Sequence, residues 1–237
     1  SHHHHLDPSP LNAVIERRVI EGSDRVVVGS EFARRQLHEE LGARVEHVDV
    51  VPYGVDERFA PRPPRPDLRA RYALGEHPVV LFFGGLKPRK NLHLLLDVWA
   101  RVAGEASAAR LLIAGGGPML DELRRRAARL GVADRVVFTG YVPEAEKTDV
   151  FNLADVFFFP SAMEGFGLTV GEAMASGLPV VASDRGSIPE LVVEGERGFV
   201  ADPAREGDFV ARLLALLRDA SLRRRLGDAG RARAGRL

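Results

Sequence analysis

The stretch of sequence that decides the fold is Glu164-Gly165-Phe166-Gly167-Leu168-Thr169-Val170-Gly171-Glu172. It follows an apolar run, 156–160, that is typical of a buried strand, and it opens a run typical of a helix, 168–176. A chain that leaves a strand and enters a helix presents free backbone N–H groups, which together with the helix dipole favour an anion. Because a carboxylate flanks each side of this anion site, the stretch predicts a phosphorylated ligand that also carries hydroxyls, such as a nucleotide sugar.

Strands and helices alternate on both sides of this stretch. Continuously apolar strands are predicted at 79–83, 110–114, 135–139, 155–159, 179–182 and 198–201, and helices at 91–102, 119–130, 144–153, 167–176, 188–193 and 209–217. Strands without polar alternation are covered on both faces, and short strand–helix connections imply a parallel, doubly wound α/β sheet. Ligands of such sheets bind at the carboxyl ends of the strands, where the glycine-rich turns of this chain lie.

The composition is ordinary for a globular domain, with 45% hydrophobic and 28% charged residues. A formal net charge of zero argues against nucleic acid as a partner. The absence of cysteine excludes disulfides and thiolate metal sites and fits a reducing compartment such as the cytoplasm. No apolar run approaches the length of a membrane span. The run His2–His5 has no second ligand cluster near it in sequence, so we predict no metal site.

The predicted organisation has four parts. Residues 1–10 are predicted to be a tag or disordered leader, and 11–56 to form helix–strand–helix–strand, with Ser30 as an N-cap and Gly42 as a helix stop. The proline-rich segment 57–75 is predicted to be a linker. The alternating part, 76–237, is predicted to be one domain, whose C-terminal helix-like run has the look of a truncated helix.

A basic turn, 84–91, follows the first strand of the alternation. Arg89 supplies a planar fork and Lys90 a compact charge, and together they could bind a diphosphate. Among the 33 lysines and arginines only Lys87, Lys90 and Lys147 are lysines, so a lysine is more informative here than an arginine. The alternative is a solvated basic turn. The spacing is not that of a Walker A loop.

Two further turns and the two glutamates also have alternatives. The glycines 115–117 allow either a close approach to a ligand or a plain tight turn, and the backbone of 140–143 could read a base edge or form an ordinary loop. Glu164 and Glu172 could be capping or solvated residues. Glu172, however, stands among small and apolar residues of its predicted helix, which predicts that it faces a site or a partner.

Several of these motifs, in this order, resemble the donor-binding half of a retaining glycosyltransferase with the two-domain GT-B architecture, of family 4 or group 1. The resemblance rests on the segments 23–32, 51–56 and 85–91, and above all on the Glu-x7-Glu stretch together with 172–181. It implies a Rossmann-like C-terminal domain. It also implies that 11–56 holds the last elements of an N-terminal acceptor domain that is mostly missing.

The resemblance implies a role for each site residue. Arg89 and Lys90 would hold the donor diphosphate, Glu164 would contact the transferred sugar, and these three would form the catalytic group. Glu172 would bind the ribose hydroxyls. The remaining donor-binding contacts would come from the backbone. Gly84 and Gly85 would lie near the phosphates, and Val142 would contact the base. The sugar hydroxyls and the phosphates would be reached by Phe166, Gly167, Leu168 and Thr169.

The implied reaction is transfer of a sugar from a nucleotide diphosphate donor to an acceptor hydroxyl, with retention and without a metal or other cofactor. A membrane surface would be contacted only through the missing domain, from the cytoplasmic side, and this chain alone would be weakly active or inactive. Many members carry Arg where this chain has Gly85, so Arg89 is expected to substitute for it. A non-catalytic nucleotide-sugar binding module and a GT-B-like sugar-nucleotide epimerase stay open as alternatives.

Overall fold

The computed structural model describes residues 10–44 and 46–237. It divides the chain into two compact units, of which the first ends at Tyr53 and the second is Gly54–Leu237. Residues 1–9 of the predicted tag or leader, with His2–His5, lie outside the described residues, and Pro10 begins a helix. Each unit is described by itself below.

The first unit contains α1 (Pro10–Glu21), β1 (Val26–Val28), α2 (Glu31–Leu41) and β2 (Val48–Val50), and the two strands pair in parallel. Ser30 caps α2, because its hydroxyl accepts the backbone N–H of Ala33 at 3.0 Å. Gly42 ends the helix in the left-handed conformation. The predicted helix–strand–helix–strand order and both caps are therefore confirmed. The assignment of these elements to the end of another domain stays a prediction.

The second unit holds the remaining helices and strands. In chain order they are α3 (Pro66–Arg71), β3 (Val79–Phe83), α4 (Leu92–Glu105), β4 (Arg110–Ala114), α5 (Leu120–Arg129), β5 (Val136–Gly140), α6 (Lys147–Phe151), β6 (Val156–Phe159), α7 (Leu168–Ala175), β7 (Val180–Ser183), α8 (Ile188–Leu191), β8 (Phe199–Ala201), α9 (Glu206–Arg218) and α10 (Ala220–Ala234). Single 3-10 turns lie at Pro88–Lys90, Ala133–Arg135 and Glu144–Glu146.

The strands of this unit form one parallel sheet in the order β5-β4-β3-β6-β7-β8. From β3 the chain winds outward through β4 and β5, then returns to pair β6 with β3 and winds the other way. The strand order therefore reverses between β3 and β6, and in open α/β sheets a ligand binds at the carboxyl end of such a switch point. β6 and β7 are buried along their whole length, as the apolar runs predicted. The predicted doubly wound fold is confirmed.

The predicted linker 57–75 differs in the structure, because it contributes to the core of the second unit. Leu68 and Leu74 are fully buried there, and Phe59 is also buried. α3 begins at Pro66, where proline is favoured because its fixed φ suits the first helical position and its missing N–H is not needed. One of the prolines that predicted a linker thus begins a short helix.

Candidate functional site

Two loops meet at the switch point. One follows β3 and contains the 3-10 turn Pro88–Lys90, and the other follows β6 and leads to α7. The backbone N–H of Ala162 donates to the carbonyl of Arg89 at 2.8 Å, which ties the second loop to the first. The basic turn and the acidic stretch of the sequence therefore lie side by side, as the sheet topology predicts.

Glu164 is the centre of this loop contact. Its Oε1 lies 2.5 Å from Nζ of Lys90, 3.0 Å from a guanidinium nitrogen of Arg89 and 2.7 Å from Oγ of Ser161. Both Glu164 and Lys90 are buried, and the Lys90 ammonium also lies 4.6 Å from the centroid of the Phe159 ring. Burial lowers the pKa of Lys90 below its ordinary value of 10.5, and the charge of Glu164 opposes that shift.

The backbone of Glu164 is fixed by the loop between β7 and α8. Ser187 donates its backbone N–H to the Glu164 carbonyl at 3.0 Å. Gly186 has a φ of +64°, and a Cβ built on it would lie 2.2 Å from that same carbonyl oxygen. Only glycine allows this approach, so Gly186 is part of what places Glu164.

Glu172 forms a second pair, with a residue that the sequence motifs did not assign to the site. It lies in α7 and is 4% exposed. Its Oε1 accepts a hydrogen bond from Nζ of Lys147 at 2.6 Å, whereas its Oε2 is buried and has no hydrogen-bond partner among the described residues. Burial raises the pKa of Glu172 above its ordinary value of 4.5, and the hydrogen bond from Lys147 opposes that shift.

Lysine usage is the signal that could have identified Lys147. The chain takes arginine almost everywhere, yet two of its three lysines, Lys90 and Lys147, pair with the two glutamates of the deciding stretch. A compact ammonium fits against one buried carboxylate oxygen more readily than a guanidinium fork does. A rare residue type that recurs at one site is thus informative even without a motif.

The amino terminus of α7 lies between the two glutamates in sequence. Gly167 is its N-cap, with a φ of +84°, and offers no side chain to the first turn. A Cβ there would lie 2.8 Å from Cδ1 of Ile188, so this position also requires glycine. Without a capping side chain, the first backbone N–H groups, at Leu168 and Thr169, are of the kind that binds anions. Phe166, just before the cap, is buried and anchors the loop.

The glycine turns after β3 and β4 contact each other. A Cβ on Gly115 would lie 2.1 Å from the carbonyl oxygen of Gly84, and one on Gly117 would lie 2.5 Å from that of Leu86. The N–H of Leu86 also donates to the carbonyl of Gly116 at 2.9 Å. These contacts explain Gly115 and Gly117 by a tight turn, the plainer of the two alternatives.

Val142 follows β5 at the same edge of the sheet. The end of β5 is joined to the neighbouring strand, since Gly115 donates its N–H to the carbonyl of Gly140 at 3.0 Å. The Val142 side chain is buried, and that of Tyr141 beside it is 80% exposed. Glu164, Arg89 and Lys90 are therefore in direct contact, whereas Val142 is placed near them only by the topology of the sheet.

A cavity of about 600 Å³ lies away from these residues. Pro78 and Asp155, which line it, immediately precede β3 and β6, so the cavity is at the amino edge of the sheet. Its arginine, Arg69, donates to the backbone carbonyls of Gly75 and His77. The arginine is used by the fold itself, and the cavity is not the candidate site.

The described residues hold neither a metal-binding cluster nor a membrane-spanning helix. No group of three or more His, Asp or Glu side chains there could hold a metal ion. None of the described helices combines the length and the apolar character needed to cross a membrane.

Comparison with known proteins identifies relatives. The model of the family Glycosyl transferases group 1 matches residues 64–233. A GDP-mannose-dependent alpha-(1-6)-phosphatidylinositol monomannoside mannosyltransferase of Mycobacterium tuberculosis is 38% identical over 232 residues, which cover 94% of this chain and 60% of that protein. A D-inositol 3-phosphate glycosyltransferase of Nocardia farcinica is 37% identical over 234 residues, which cover 93% of this chain and 51% of that protein.

A solved structure shows the same fold. Anabaena Alr3699/HepE in complex with UDP and glucose superposes with a TM-score of 0.86 at 25% identity, over 96% of this chain and 63% of that one. The chain spans between 51% and 60% of the length of the two curated relatives above. Its architecture is that of the C-terminal part of a GT-B glycosyltransferase, and the chain belongs to the group 1 glycosyl transferases.

Proposed function

We propose that this chain binds the nucleotide diphosphate sugar of a glycosyltransferase that transfers the sugar to an acceptor hydroxyl with retention at the anomeric carbon. One observation carries the proposal: Glu164 and Glu172 are both buried, one before and one after the uncapped amino terminus of α7, at the carboxyl edge of the sheet. Buried carboxylates accept hydroxyl donors, and the helix terminus favours phosphate, so the arrangement suits a ligand that has both.

In this proposal the positive charges act on the leaving group. Departure of a nucleoside diphosphate develops negative charge, which Arg89, Lys90 and the amino terminus of α7 would stabilise. The two side chains are held in place by Glu164 and would be shared between its carboxylate and the diphosphate. Gly84 and Gly85, where no side chain stands in the way, would let the backbone approach the phosphates. These charges allow a reaction without a metal.

The acids and the remaining backbone would bind the donor's hydroxyls and base. Glu164 would orient the transferred sugar and favour positive charge at its ring, and it is not proposed as a nucleophile. Glu172 would accept the ribose hydroxyls at Oε2, the oxygen without a partner among the described residues. The backbone of Phe166, Gly167, Leu168 and Thr169 would reach sugar hydroxyls and phosphates, and that of Val142 the base.

The relatives suggest which donor to try first. The mycobacterial relative is named as GDP-mannose-dependent, and the Anabaena structure holds UDP. We therefore propose a GDP-sugar, with mannose as the first candidate, ahead of a UDP-sugar. Parts of the longer protein outside this chain would supply the acceptor site. The reaction would take place in the cytoplasm, and at a membrane surface if the acceptor is a lipid.

Calorimetry of the folded chain with GDP, UDP and ADP tests the donor site. We expect at least one nucleotide to bind with a Kd of about 1 mM or lower, and Glu172→Ala to weaken binding by about tenfold or more, since hydrogen bonds to a charged group are lost. Glu105→Ala, which removes an exposed glutamate paired with Arg218, serves as the matched control and should bind like the wild type. A folded chain that binds none of the three at millimolar concentration would refute the proposal.

Retention is tested separately. The product of any sugar transfer by this chain, alone or within the longer protein, should carry the same anomeric configuration as the donor. The one-bond carbon–proton coupling at the anomeric carbon, measured by NMR, reads that configuration for mannose as well as for glucose. Inversion at that carbon would overturn this part of the proposal while leaving the donor site intact.

A further inference from the structure

The surroundings of Lys147 are more specific than those of a surface lysine. Its side chain is 17% exposed, and its Nζ lies 2.6 Å from Oε1 of Glu172. The same ammonium lies 5.4 Å from the centroid of the Phe59 ring and 5.6 Å from that of Phe83. Aromatic rings at these distances attract a cation, so Lys147 is held by one carboxylate and two rings.

The two rings are fixed in turn by a third. Phe151 contacts Phe83 in a stacked arrangement at 5.1 Å and Phe59 edge-on at 5.7 Å. Phe83 ends β3 and Phe151 ends α6, so the rings are anchored on regular elements. A long lysine side chain confined in this way has little conformational freedom left to lose when a ligand binds.

Only one oxygen of the carboxylate that Lys147 contacts has a hydrogen-bond partner among the described residues. Oε1 of Glu172 accepts the lysine, whereas Oε2 is buried and has no partner among the residues that the structure describes. Buried polar atoms are nearly always hydrogen-bonded in native structures, so an unsatisfied one calls for an explanation. A donor from a bound ligand would satisfy it.

Other charged groups act on Glu172 from further away. Arg58, from the segment before α3, favours its ionised form, and Glu144, from the 3-10 turn before α6, opposes it. These two are paired with each other, so their effects on Glu172 partly cancel. Lys147 is left as the cation that decides the charge of this buried carboxylate, whose pKa burial would otherwise raise further.

We infer that Lys147 is a positioning residue: it holds Glu172 ionised and turned so that Oε2 is offered to the ribose hydroxyls, and thereby makes the site prefer ribonucleotides to 2′-deoxyribonucleotides. The inference rests on the proposed function, because it needs a nucleotide to bind at Glu172. It adds to that function a positioning residue, Lys147, and a preference for ribonucleotides. A carboxylate that is fixed by one oxygen distinguishes a hydroxyl from a hydrogen, since the analogue without the hydroxyl leaves a buried acceptor unpaired.

The test compares a nucleoside diphosphate with its 2′-deoxy form across pH, from about pH 5 to about pH 9, a range that spans a raised carboxyl pKa. The base is the one that binds the wild type. For the wild type we expect about tenfold or greater preference for the ribonucleotide. In Lys147→Met the preference should fall to within about threefold, and the apparent pKa that governs binding should rise by about one unit or more, because an opposite charge has been removed.

Three further variants make the result specific. Lys147→Arg keeps the charge over the rings and should keep the wild-type pH profile. Lys147→Gln keeps a donor without the charge, and it replaces Lys147→Met if that variant does not fold. Arg71→Met is the matched control, because it breaks an ion pair to Glu146 in the turn next to Lys147 and touches no site residue. It should behave like the wild type in both preference and pH profile.

The proposed function and the role of Lys147 fail in different ways. If the folded wild type binds no nucleoside diphosphate, the proposed function falls and this inference with it. If the wild type binds, but Lys147→Met and Lys147→Gln keep the same ribose preference and the same pH profile, only the role of Lys147 is refuted. A uniform loss of affinity without a change in either readout would likewise mark Lys147 as merely structural and overturn the inference.

Discussion

The carboxyl edge of the sheet holds two lysine–glutamate pairs of similar length that are built in opposite ways. In the pair of Lys90 and Glu164, one carboxylate oxygen lies within hydrogen-bond distance of a lysine, an arginine and a serine, and the pair joins two loops. In the pair of Lys147 and Glu172, the lysine holds one oxygen while the other is buried without a partner in the described part of the chain. The first pair is well supplied with donors, and the second is incomplete.

The unfavourable effect of burial falls on opposite members of the two pairs. At the first pair burial lowers the pKa of Lys90, and at the second it raises the pKa of Glu172. The several donors around Glu164 fix the two loops and hold Lys90 and Arg89 where the proposed function needs them. A glutamate short of donors is poised for a ligand that brings them. We therefore expect the first pair to contribute more to stability than the second, in addition to its proposed contacts with the donor, and the second to contribute mainly to ligand binding.

The largest expected effect comes from breaking the first pair. Lys90→Met should lower the free energy of unfolding by about 4 kcal/mol, because it leaves the buried Glu164 without its closest counter-charge. Lys147→Met should lower it by clearly less. Urea denaturation followed by circular dichroism measures both. Lys87→Met, which removes an exposed lysine of the same loop, is the control and should change the value by no more than about 0.5 kcal/mol.

A double replacement sharpens this comparison. Combining Lys90→Met with Glu164→Gln removes both charges and should recover part of the loss, because no buried charge is then left unpaired. The corresponding cycle for Lys147→Met and Glu172→Gln should give the smaller coupling energy. Equal coupling in the two cycles would contradict the distinction between a pair that is well supplied with donors and an incomplete one.

The next largest expected effect is a difference in stability between two glycine variants, one of which affects the first pair. Gly186 and Gly195 both have left-handed backbones, with φ of +64° and +71°, but only at Gly186 would a Cβ meet the backbone of Glu164. Gly195→Ala should lower the free energy of unfolding by about 1 kcal/mol through backbone strain. Gly186→Ala should lower it by about 2 kcal/mol more, since the loop must also move. Thermal or urea unfolding of the two variants side by side measures the difference.

Nucleotide affinity adds a second measurement to the same glycine pair. Gly186→Ala should weaken nucleotide binding because it displaces Glu164, which holds the two cations that would bind the diphosphate, and Gly195→Ala should not. If the two variants lose the same stability and bind alike, then the close approach of Gly186 does not place Glu164.

The sequence predicts the fold well because residues that are close in sequence determine the strands and the helix ends. Apolar runs define the strands of the sheet. Ser30 caps α2 with its hydroxyl, and Gly42 ends it because a residue without a side chain readily adopts the left-handed conformation. The basic turn and the acidic stretch are predicted to share a site because parallel strands bring their carboxyl ends to one edge. This prediction needs only the order of elements.

What the sequence does not predict depends on contacts between distant parts of the chain. Lys147 and Glu172 are 25 positions apart and meet only after α6 and α7 have packed on the sheet. The need for glycine at Gly186 arises from the carbonyl of Glu164, in another loop. α3 lies in a segment predicted to be a linker because prolines break most elements, although one at the first helical position favours a helix. In the first two cases the deciding partner lies outside the local sequence window, whereas in the third the local signal has two meanings.

The smallest expected effect is the pH dependence of stability at the second pair. The pKa of Glu172 in the folded chain is raised above its ordinary 4.5, so between these values the folded chain binds more protons than the unfolded chain. The contribution of Glu172 to stability is therefore fully present below pH 4.5 and is lost as pH rises through the raised pKa. The free energy of unfolding of the wild type minus that of Glu172→Gln should fall across this window and then level off. The fall should be about 1.4 kcal/mol for each pH unit between the unfolded and folded pKa values.

Urea unfolding at a series of pH values measures the difference. In the Lys147→Met background the decline should extend to higher pH. A difference that rises with pH instead would mean that the folded chain favours ionised Glu172, as a fully paired carboxylate does, and the contrast between the two pairs would be lost.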